Sequence, residues 1–114
     1  MNLESLRKFC LSMPGATEDV KWGADLCFSV GQKMFCVTGA DSNAASISFK
    51  TTPDRFADLT ERPGIEPAAY VGRYGWVHVS AEATIGDNEL KDLIAKSYQL
   101  VFDKLPSKIK RSIS

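Results

Sequence analysis

The sequence predicts an α+β fold: a two-layer sandwich in which an antiparallel sheet carries its helices on one face. Residues 22–50 alternate between apolar and polar side chains on both sides of a Gly-Gln dipeptide, which is typical of a hairpin followed by a third strand. Residues 87–105 repeat apolar side chains at helical spacing, which predicts a long amphipathic helix. A chain of 114 residues, 44% hydrophobic and 25% charged, suits one domain, placed at residues 1–106 before a basic C-terminal tail at residues 107–114.

The net charge is zero, because fourteen basic residues balance fourteen acidic ones. It therefore gives no reason to expect nucleic acid, an anionic membrane or an acidic substrate. The distribution of charge is uneven. Residues 1–103 hold ten basic and fourteen acidic residues, a net charge of −4, whereas the segment from Lys104 onward holds four basic residues and no acidic one. No apolar run approaches the ~20 residues that span a bilayer, and the N-terminus lacks a signal-peptide pattern, so a cytoplasmic protein is expected. It is also expected to be a monomer.

The cysteines do not suggest a metal site. Cys10, Cys27 and Cys36 form no CxxC pair or zinc spacing, and His78 is the single histidine. Soft-metal sites need several such ligands together. Reduced, mostly buried thiols are expected, with no metal and no cofactor.

The first predicted helix has Asn2 as its N-cap and the Pro14-Gly15 pair as its stop. Its apolar residues recur at helical spacing: Leu3, Leu6, Phe9, Cys10 and Met13. A short strand over Val20–Trp22 follows, and a turn at Gly23 leads into the hairpin.

The hairpin is predicted to turn at Gly31 and Gln32, which fixes its register. On the core face the register pairs Val30 with Lys33, Phe28 with Phe35, and Leu26 with Val37. On the other, open face it pairs Ser29 with Met34 and Cys27 with Cys36. The two cysteine side chains are therefore expected to face each other in a non-hydrogen-bonded pair and to stay reduced.

The rest of the chain adds two strands and two helices. After a polar loop at residues 39–43, the predicted elements are a strand at Ser46–Lys50, a helix capped by Thr52 that ends near Glu61, an irregular segment at Ile65–Gly75, a strand at Trp76–Ser80 and a helix capped by Asp87 that ends near Lys104. A frayed end is expected from Lys108. Phe28, Phe35, Ile47 and Val77 are expected to form the core under Leu93, Ile94 and Val101 of the last helix.

The open face collects small polar side chains and a large aromatic ring: Cys27, Ser29, Met34, Cys36, Ser46, Ser48, Lys50, Trp76 and His78. Such a mixture is more typical of an interaction surface than of a core. Tyr70, Arg73 and Tyr74 also cluster in the irregular segment. Either the three residues are part of a site, or the rings of Tyr70 and Tyr74 pack on the domain edge with their hydroxyl groups in contact with water.

Several short motifs in a fixed order suggest a family. They are Pro14-Gly15-Ala16, Lys33-Met34-Phe35 after the glycine turn, Phe49-Lys50 followed by Pro53-Asp54, Trp76, and the run from Glu89-Leu90 through Ser97-Tyr98 to Leu105-Pro106. Over almost the whole chain this order and spacing resembles the MmcQ/YjbR family of small bacterial proteins. The resemblance implies a frataxin-like (CyaY-like) two-layer fold and a DNA-binding role through a proposed double-wing arrangement.

Three functions compete. A non-catalytic DNA-binding module, which the resemblance implies, would touch phosphates through Lys33, Lys50, Arg73, Lys108, Lys110 and Arg111. The acidic body and the lack of a clustered Lys/Arg stripe argue against it. The alternative is a module that binds a protein or small ligand on the open face, through Met34, Tyr74, Trp76 and His78.

An enzyme is the third possibility. His78 could act as a general base or activate Cys27 or Cys36 on the same face. A lone histidine on a strand is far more often structural or at the surface, so no catalytic residue is assigned.

Overall fold

Six strands form one antiparallel sheet in the computed structural model, which describes residues 1–21, 25–39, 46–69, 72–80 and 83–113, with Arg73 described by its backbone alone. The strands are β1 (Thr17–Lys21), β2 (Asp25–Val30), β3 (Lys33–Gly39), β4 (Ile47–Lys50), β5 (Ile65–Pro67) and β6 (Trp76–Val79). Their order in the sheet is β1-β2-β3-β4-β6-β5. The predicted α+β class is confirmed.

Four helices accompany the sheet: α1 (Leu3–Leu11), α2 (Pro53–Leu59), α3 (Asp87–Asp103) and α4 (Ser107–Ile113). The predicted caps of the first two are present, because the Asn2 side chain accepts from the Ser5 amide at 2.8 Å and Thr52 accepts from the Arg55 amide at 3.4 Å. The predicted cap of helix α3 is displaced by one residue: Gly86 is the N-cap, and Asp87 is the first residue of the helix. No helix in the described part of the chain is long and apolar enough to cross a membrane.

The core lies between one face of the sheet and the helices α1 and α3. The predicted core residues are all buried in it: Phe28, Phe35, Ile47, Val77, Leu93, Ile94 and Val101. Phe49 joins them, and it is fully buried like Phe28 and Phe35. The strands and α3 therefore bury the faces that their apolar periodicity predicts.

The predicted hairpin register is wrong beyond its first two pairs. Val30 does pair with Lys33, and Ser29 with Met34, around Gly31 and Gln32. A β-bulge then adds one residue to β3, so that Phe28 lies opposite Cys36 and Cys27 opposite Val37. Strict alternation fails here because consecutive residues, Phe35 and Cys36, both enter the core.

The bulge also overturns the predicted cysteine pair. Cys36 and Cys27 lie on opposite faces of the sheet, since Cys36 belongs to the core and Cys27 pairs with Val37, which lines the open face. Val37 has therefore exchanged places with Cys36. The partner of Cys36 is the Cys10 thiol on α1: contact with it, together with burial, raises the pKa of Cys36 well above its usual value. All three cysteines are free thiols.

Ser97 on α3 fills the place where β3 and β4 stop pairing. The ladder ends at the Cys36–Phe49 pair, one residue before Phe35 and Lys50 would meet. The Ser97 hydroxyl donates to the Phe35 carbonyl at 2.6 Å and accepts from the Lys50 amide at 2.9 Å. A helix side chain thus replaces the next bond of the sheet and anchors α3 to both strands.

Three segments differ from expectation. The strand expected at Val20–Trp22 is β1, Thr17–Lys21, and Ile65–Pro67 within the irregular segment is a short edge strand paired with β6. The end expected to fray is helix α4, whose Ile113 packs against the core. Trp22, the loop residues 40–43 and Tyr70 lie outside the described residues.

Candidate ligand-binding groove on the open face

A groove of about 1070 Å³ crosses the open face of the sheet, which is the face opposite α1 and α3, and extends past the sheet end to the C-terminal end of α3. Its floor consists of side chains from three neighbouring strands: Met34 and Val37 of β3, Ser48 and Lys50 of β4, and Trp76 and His78 of β6. Ala68, Ala69 and Tyr74 form one wall. We call this feature the open-face groove.

The floor has two rows, set by the pairing of β4 with β6. Lys50 lies opposite Trp76, and Ser48 lies opposite His78. Two residues along a strand advance it by about 7 Å, so the rows are about 7 Å apart. Trp76 is only 8% exposed, less than expected for an open-face aromatic ring, but it lines the groove.

Ser48 and His78 form a hydrogen-bonded pair in the second row. The Ser48 hydroxyl oxygen lies 3.0 Å from Nδ1 of the imidazole, and the tautomer of His78 sets which of them donates. Both side chains line the groove. The pair can offer a ligand either a hydrogen-bond donor or an acceptor.

The hypothesis that His78 activates a cysteine is wrong. Cys36 points into the core, on the other side of the sheet. Cys27 stands in the row of His78, but β3 and β4 separate their strands, which places them about 14 Å apart at ~4.8 Å per strand. Proton transfer needs contact within about 3 Å.

Three lysines line the end of the groove near the hairpin turn: Lys33, Lys50 and Lys104. Lys104 comes from the C-terminal end of α3, with Val101, Leu105 and Pro106 beside it. None of the three lysines takes part in an ion pair among the described residues. Burial, and then the neighbouring Lys104 ammonium, lowers the pKa of Lys50.

Gly75 fixes the wall that carries Tyr74 next to Trp76. Its carbonyl accepts from the Thr51 amide at 2.8 Å and from the Thr51 hydroxyl at 3.0 Å. Its φ is +88°, and a Cβ there would lie 2.8 Å from the Thr51 carbonyl oxygen. Only glycine fits without moving the strand end, so the groove wall depends on this residue.

The comparisons with known proteins agree with this architecture. The family model YjbR matches residues 11–100, which is most of the chain. This chain belongs to the YjbR family. The uncharacterized protein YjbR of Escherichia coli K12 is 26% identical over 110 residues, which cover 93% of this chain and 92% of the relative. The uncharacterized YjbR protein of Escherichia coli O157:H7 matches to the same extent.

Two solved structures share the fold of this YjbR-family chain. The crystal structure of Deinococcus radiodurans protein DR2400, which has the DUF419 domain, superposes with a TM-score of 0.84 at 24% identity, covering 97% of this chain and 86% of that one. A Pseudomonas syringae protein superposes with a TM-score of 0.71 at 22% identity, covering 89% of this chain and 99% of that one. At these identities the likeness establishes the fold, and it assigns no activity.

The groove brings together six of the predicted site residues: Lys33, Met34, Lys50, Tyr74, Trp76 and His78. The other predicted cations, Lys108, Lys110 and Arg111, lie on α4 outside the groove lining. The backbone of Arg73 lies in a 3₁₀ turn at Gly72–Tyr74, and its side chain is outside the described part of the structure.

Sequence reasoning missed Lys104 and Val37 as groove residues. Strict strand alternation predicts Val37 in the core, because the bulge has no sequence signature here. Lys104 belongs by charge with the basic C-terminal residues, although its position near the end of the α3 apolar seam places it beside the sheet. Among the described residues, no group of three or more His, Cys, Asp and Glu side chains is placed to hold a metal ion.

Proposed function

We propose that this YjbR-family protein is a non-catalytic binding module that takes a small, flat ligand in the open-face groove. The observation that carries the proposal is the groove itself, about 1070 Å³, whose lining surface is mainly apolar and whose floor also carries the polar side chains of Ser48, Lys50 and His78. Ligand sites in proteins occupy roughly 300–1,000 Å³ and have this type of lining. Met34, Val37 and Trp76 would contact the body of the ligand, and the Ser48–His78 pair would orient it.

Recognition is a better role than catalysis for the Ser48–His78 pair. A serine nucleophile is usually activated by a base that a third group holds in place. Within the described residues, Ser48 is the one hydrogen-bond partner of the His78 ring. We therefore assign the pair to ligand orientation, in a protein that the sequence predicts to be a cytoplasmic monomer.

The test is a fluorescence titration with N-phenyl-1-naphthylamine, an uncharged aromatic dye that brightens in apolar sites. We expect Met34→Ala and Trp76→Ala each to weaken binding about tenfold, which corresponds to ~1.4 kcal/mol of lost contact. Val20→Ala is the matched control, because Val20 is 55% exposed on β1 and outside the groove. Thermal melts show whether each variant is folded. Unchanged dye affinity in both groove variants contradicts the proposal.

Duplex DNA is a second candidate, favoured by one packing contact. A Cβ added to Gly31 at the hairpin turn would lie 2.7 Å from Leu105 and 3.2 Å from Ile109, so the turn packs against the α3–α4 connection and α4. Lys33 and the α4 cations Lys108, Lys110 and Arg111 therefore come from adjacent elements. The net charge of zero and the acidic body weaken this candidate.

Salt dependence separates DNA from a groove ligand. Each phosphate contact adds ~0.9 to the magnitude of the log–log salt slope. If DNA binds through α4, the triple variant K108Q/K110Q/R111Q should lower that magnitude by about 2.7, and Arg73→Gln should weaken all sequences alike. Lys8→Gln on α1 is the control for loss of one exposed charge. We expect at most weak, nonspecific binding, and a nanomolar, sequence-selective complex at ~0.15 M salt would contradict this expectation.

A further inference from the structure

We propose that the ligand of the open-face groove is an organic anion, with its acidic group held between the ammonium groups of Lys50 and Lys104. This inference rests on the proposed function, since it specifies the chemistry of a ligand in the same groove. The ligand is a small molecule with a flat apolar body and one carboxylate or phosphate at its end.

Two lysine side chains lie together at one end of the groove. Lys50 stands on β4 beside Trp76, and Lys104 comes from the end of α3, so the chain brings them to the same groove from distant positions. Lys33 lines the same end. Like charges brought together repel, and partial burial costs the Lys50 ammonium some of its hydration. An anion bound between the two ammonium groups would offset both costs.

No residue in the described part of the chain forms an ion pair with the groove lysines. The ion pairs there are Met1–Asp87, Arg7–Glu18, Arg62–Asp58 and Arg62–Glu89. Asp25 is the one acid among the described residues that line the groove. It lies opposite Gly39, at the end of β3 away from Lys33, so no described carboxylate lines the lysine end of the groove.

The backbones of Lys50 and Lys104 are both held in ordered elements. The Ser97 hydroxyl accepts from the amide of Lys50 and donates to the Phe35 carbonyl, which holds the start of the Lys50 side chain on a rigid strand. Lys104 follows directly on the long helix α3, whose preceding turn is buried at Val101. Because both backbones are already ordered, a ligand that binds here restricts only the lysine side chains, which favours affinity.

The distances define the ligand further. The Lys50–Trp76 row and the Ser48–His78 row are about 7 Å apart along the strands. A ligand that spans both rows would have an acidic group at one end and a hydrogen-bonding group at the other, with a flat body against Trp76, Met34 and Val37. This description fits a substituted aromatic acid, and it does not fit a neutral lipid or a cation.

The test compares two dyes of the same skeleton: 8-anilinonaphthalene-1-sulfonate, an anion, and N-phenyl-1-naphthylamine, which lacks the sulfonate. We expect the wild type to bind the anionic dye at least tenfold more tightly, and the double variant K50M/K104M to lose that preference while keeping its affinity for the neutral dye. Methionine retains the aliphatic stem of lysine, so the variant removes charge and preserves apolar contact. Lys8→Met is the control, because Lys8 lies on α1 outside the groove.

Competition then identifies the acidic group. 1-Naphthoate and 1-naphthyl phosphate should displace the anionic dye, and whichever is stronger names the preferred acid, whereas 1-naphthalenemethanol should need at least tenfold more. Equal displacement by the neutral alcohol, or an anion preference that survives K50M/K104M, overturns the inference and leaves the proposed function standing. If neither dye binds the folded wild type, the proposed function fails as well.

Discussion

Replacing Ser97 by alanine tests the junction that holds β3, β4 and α3 together. The substitution removes one oxygen atom from a fully buried position and leaves the Phe35 carbonyl and the Lys50 amide without their partner. A buried polar group left unsatisfied costs about 1–3 kcal/mol, so two such groups cost about 2–6 kcal/mol. Alanine returns ~0.5 kcal/mol through its higher helix propensity, and water reaches the half-buried Lys50. We therefore expect a net loss of about 2–4 kcal/mol in the free energy of unfolding.

Urea denaturation followed by circular dichroism measures this loss. With an m-value of about 1.5 kcal/mol/M, the midpoint should fall by about 1.3–2.7 M. Ser112→Ala is the matched control, because that serine lies exposed on α4 and its hydroxyl donates to the carbonyl of Ile109 within the same helix. A midpoint for Ser97→Ala equal to that of the control would refute the bridging role of the hydroxyl.

Three further predictions concern the core, the acid limb of stability and the thiols. Phe28→Ala should cost about 3–5 kcal/mol, because the ring is fully buried, and an unchanged urea midpoint would show that this face is not the core. The Nε of Arg7 donates a 2.8 Å hydrogen bond to the carboxylate of Glu18 and lowers the pKa of Glu18 below its ordinary value of 4.5. This pair therefore stabilises the fold above pH 4.5, and its contribution is lost as the pH falls through the folded pKa. Glu18→Gln should flatten the acid limb of a plot of urea midpoint against pH, and an unaltered limb would argue against the pair. Cys10 and Cys36 are fully buried, and their contact and burial raise the pKa of Cys36, so a thiol reagent should label them slowly in the native protein and fast in urea; rapid native labelling of Cys36 would place it at the surface.

The first three helices and the core could be predicted because each depends on periodicity within one segment. The apolar spacing of α3 from Leu90 to Val101 and the alternation of Leu26, Phe28 and Val30 both mark buried faces, and the structure buries all of them. These signals are local and strong. They were enough to predict the fold class and most of the side chains on the open face, whereas the family was suggested by the resemblance of its short motifs.

The register error arose because a bulge leaves no signature in an all-apolar run. Phe35, Cys36 and Val37 are each able to face a core, so strict alternation and a bulged strand fit the sequence equally well. The contact that distinguishes them is the Ser97 hydroxyl on Phe35, which comes from a distant helix. Ser97 is a polar residue in the apolar seam of α3, and no local pattern shows that its hydroxyl bonds to two strands.

The groove could be predicted only in part, for a related reason. Met34, Lys50, Trp76 and His78 were placed on one face by strand alternation, and the groove contains all four. The position of Lys104 beside Lys50 depends on the angle at which α3 crosses the sheet, which no local pattern encodes. The presence of both lysines at one end of the groove could therefore not be predicted from the sequence.

The central claim is that the open-face groove is the binding site, and a nitrogen–proton correlation NMR titration with 1-naphthoate tests it most directly. We predict shift changes that concentrate on the groove: the amides of Ser48, His78 and Lys104, and the indole of Trp76. The amides of Leu6 and Leu59, buried in the core away from the groove lining, should stay unchanged. Shift changes confined to α4 and the hairpin turn, with the groove signals unmoved, would contradict the claim.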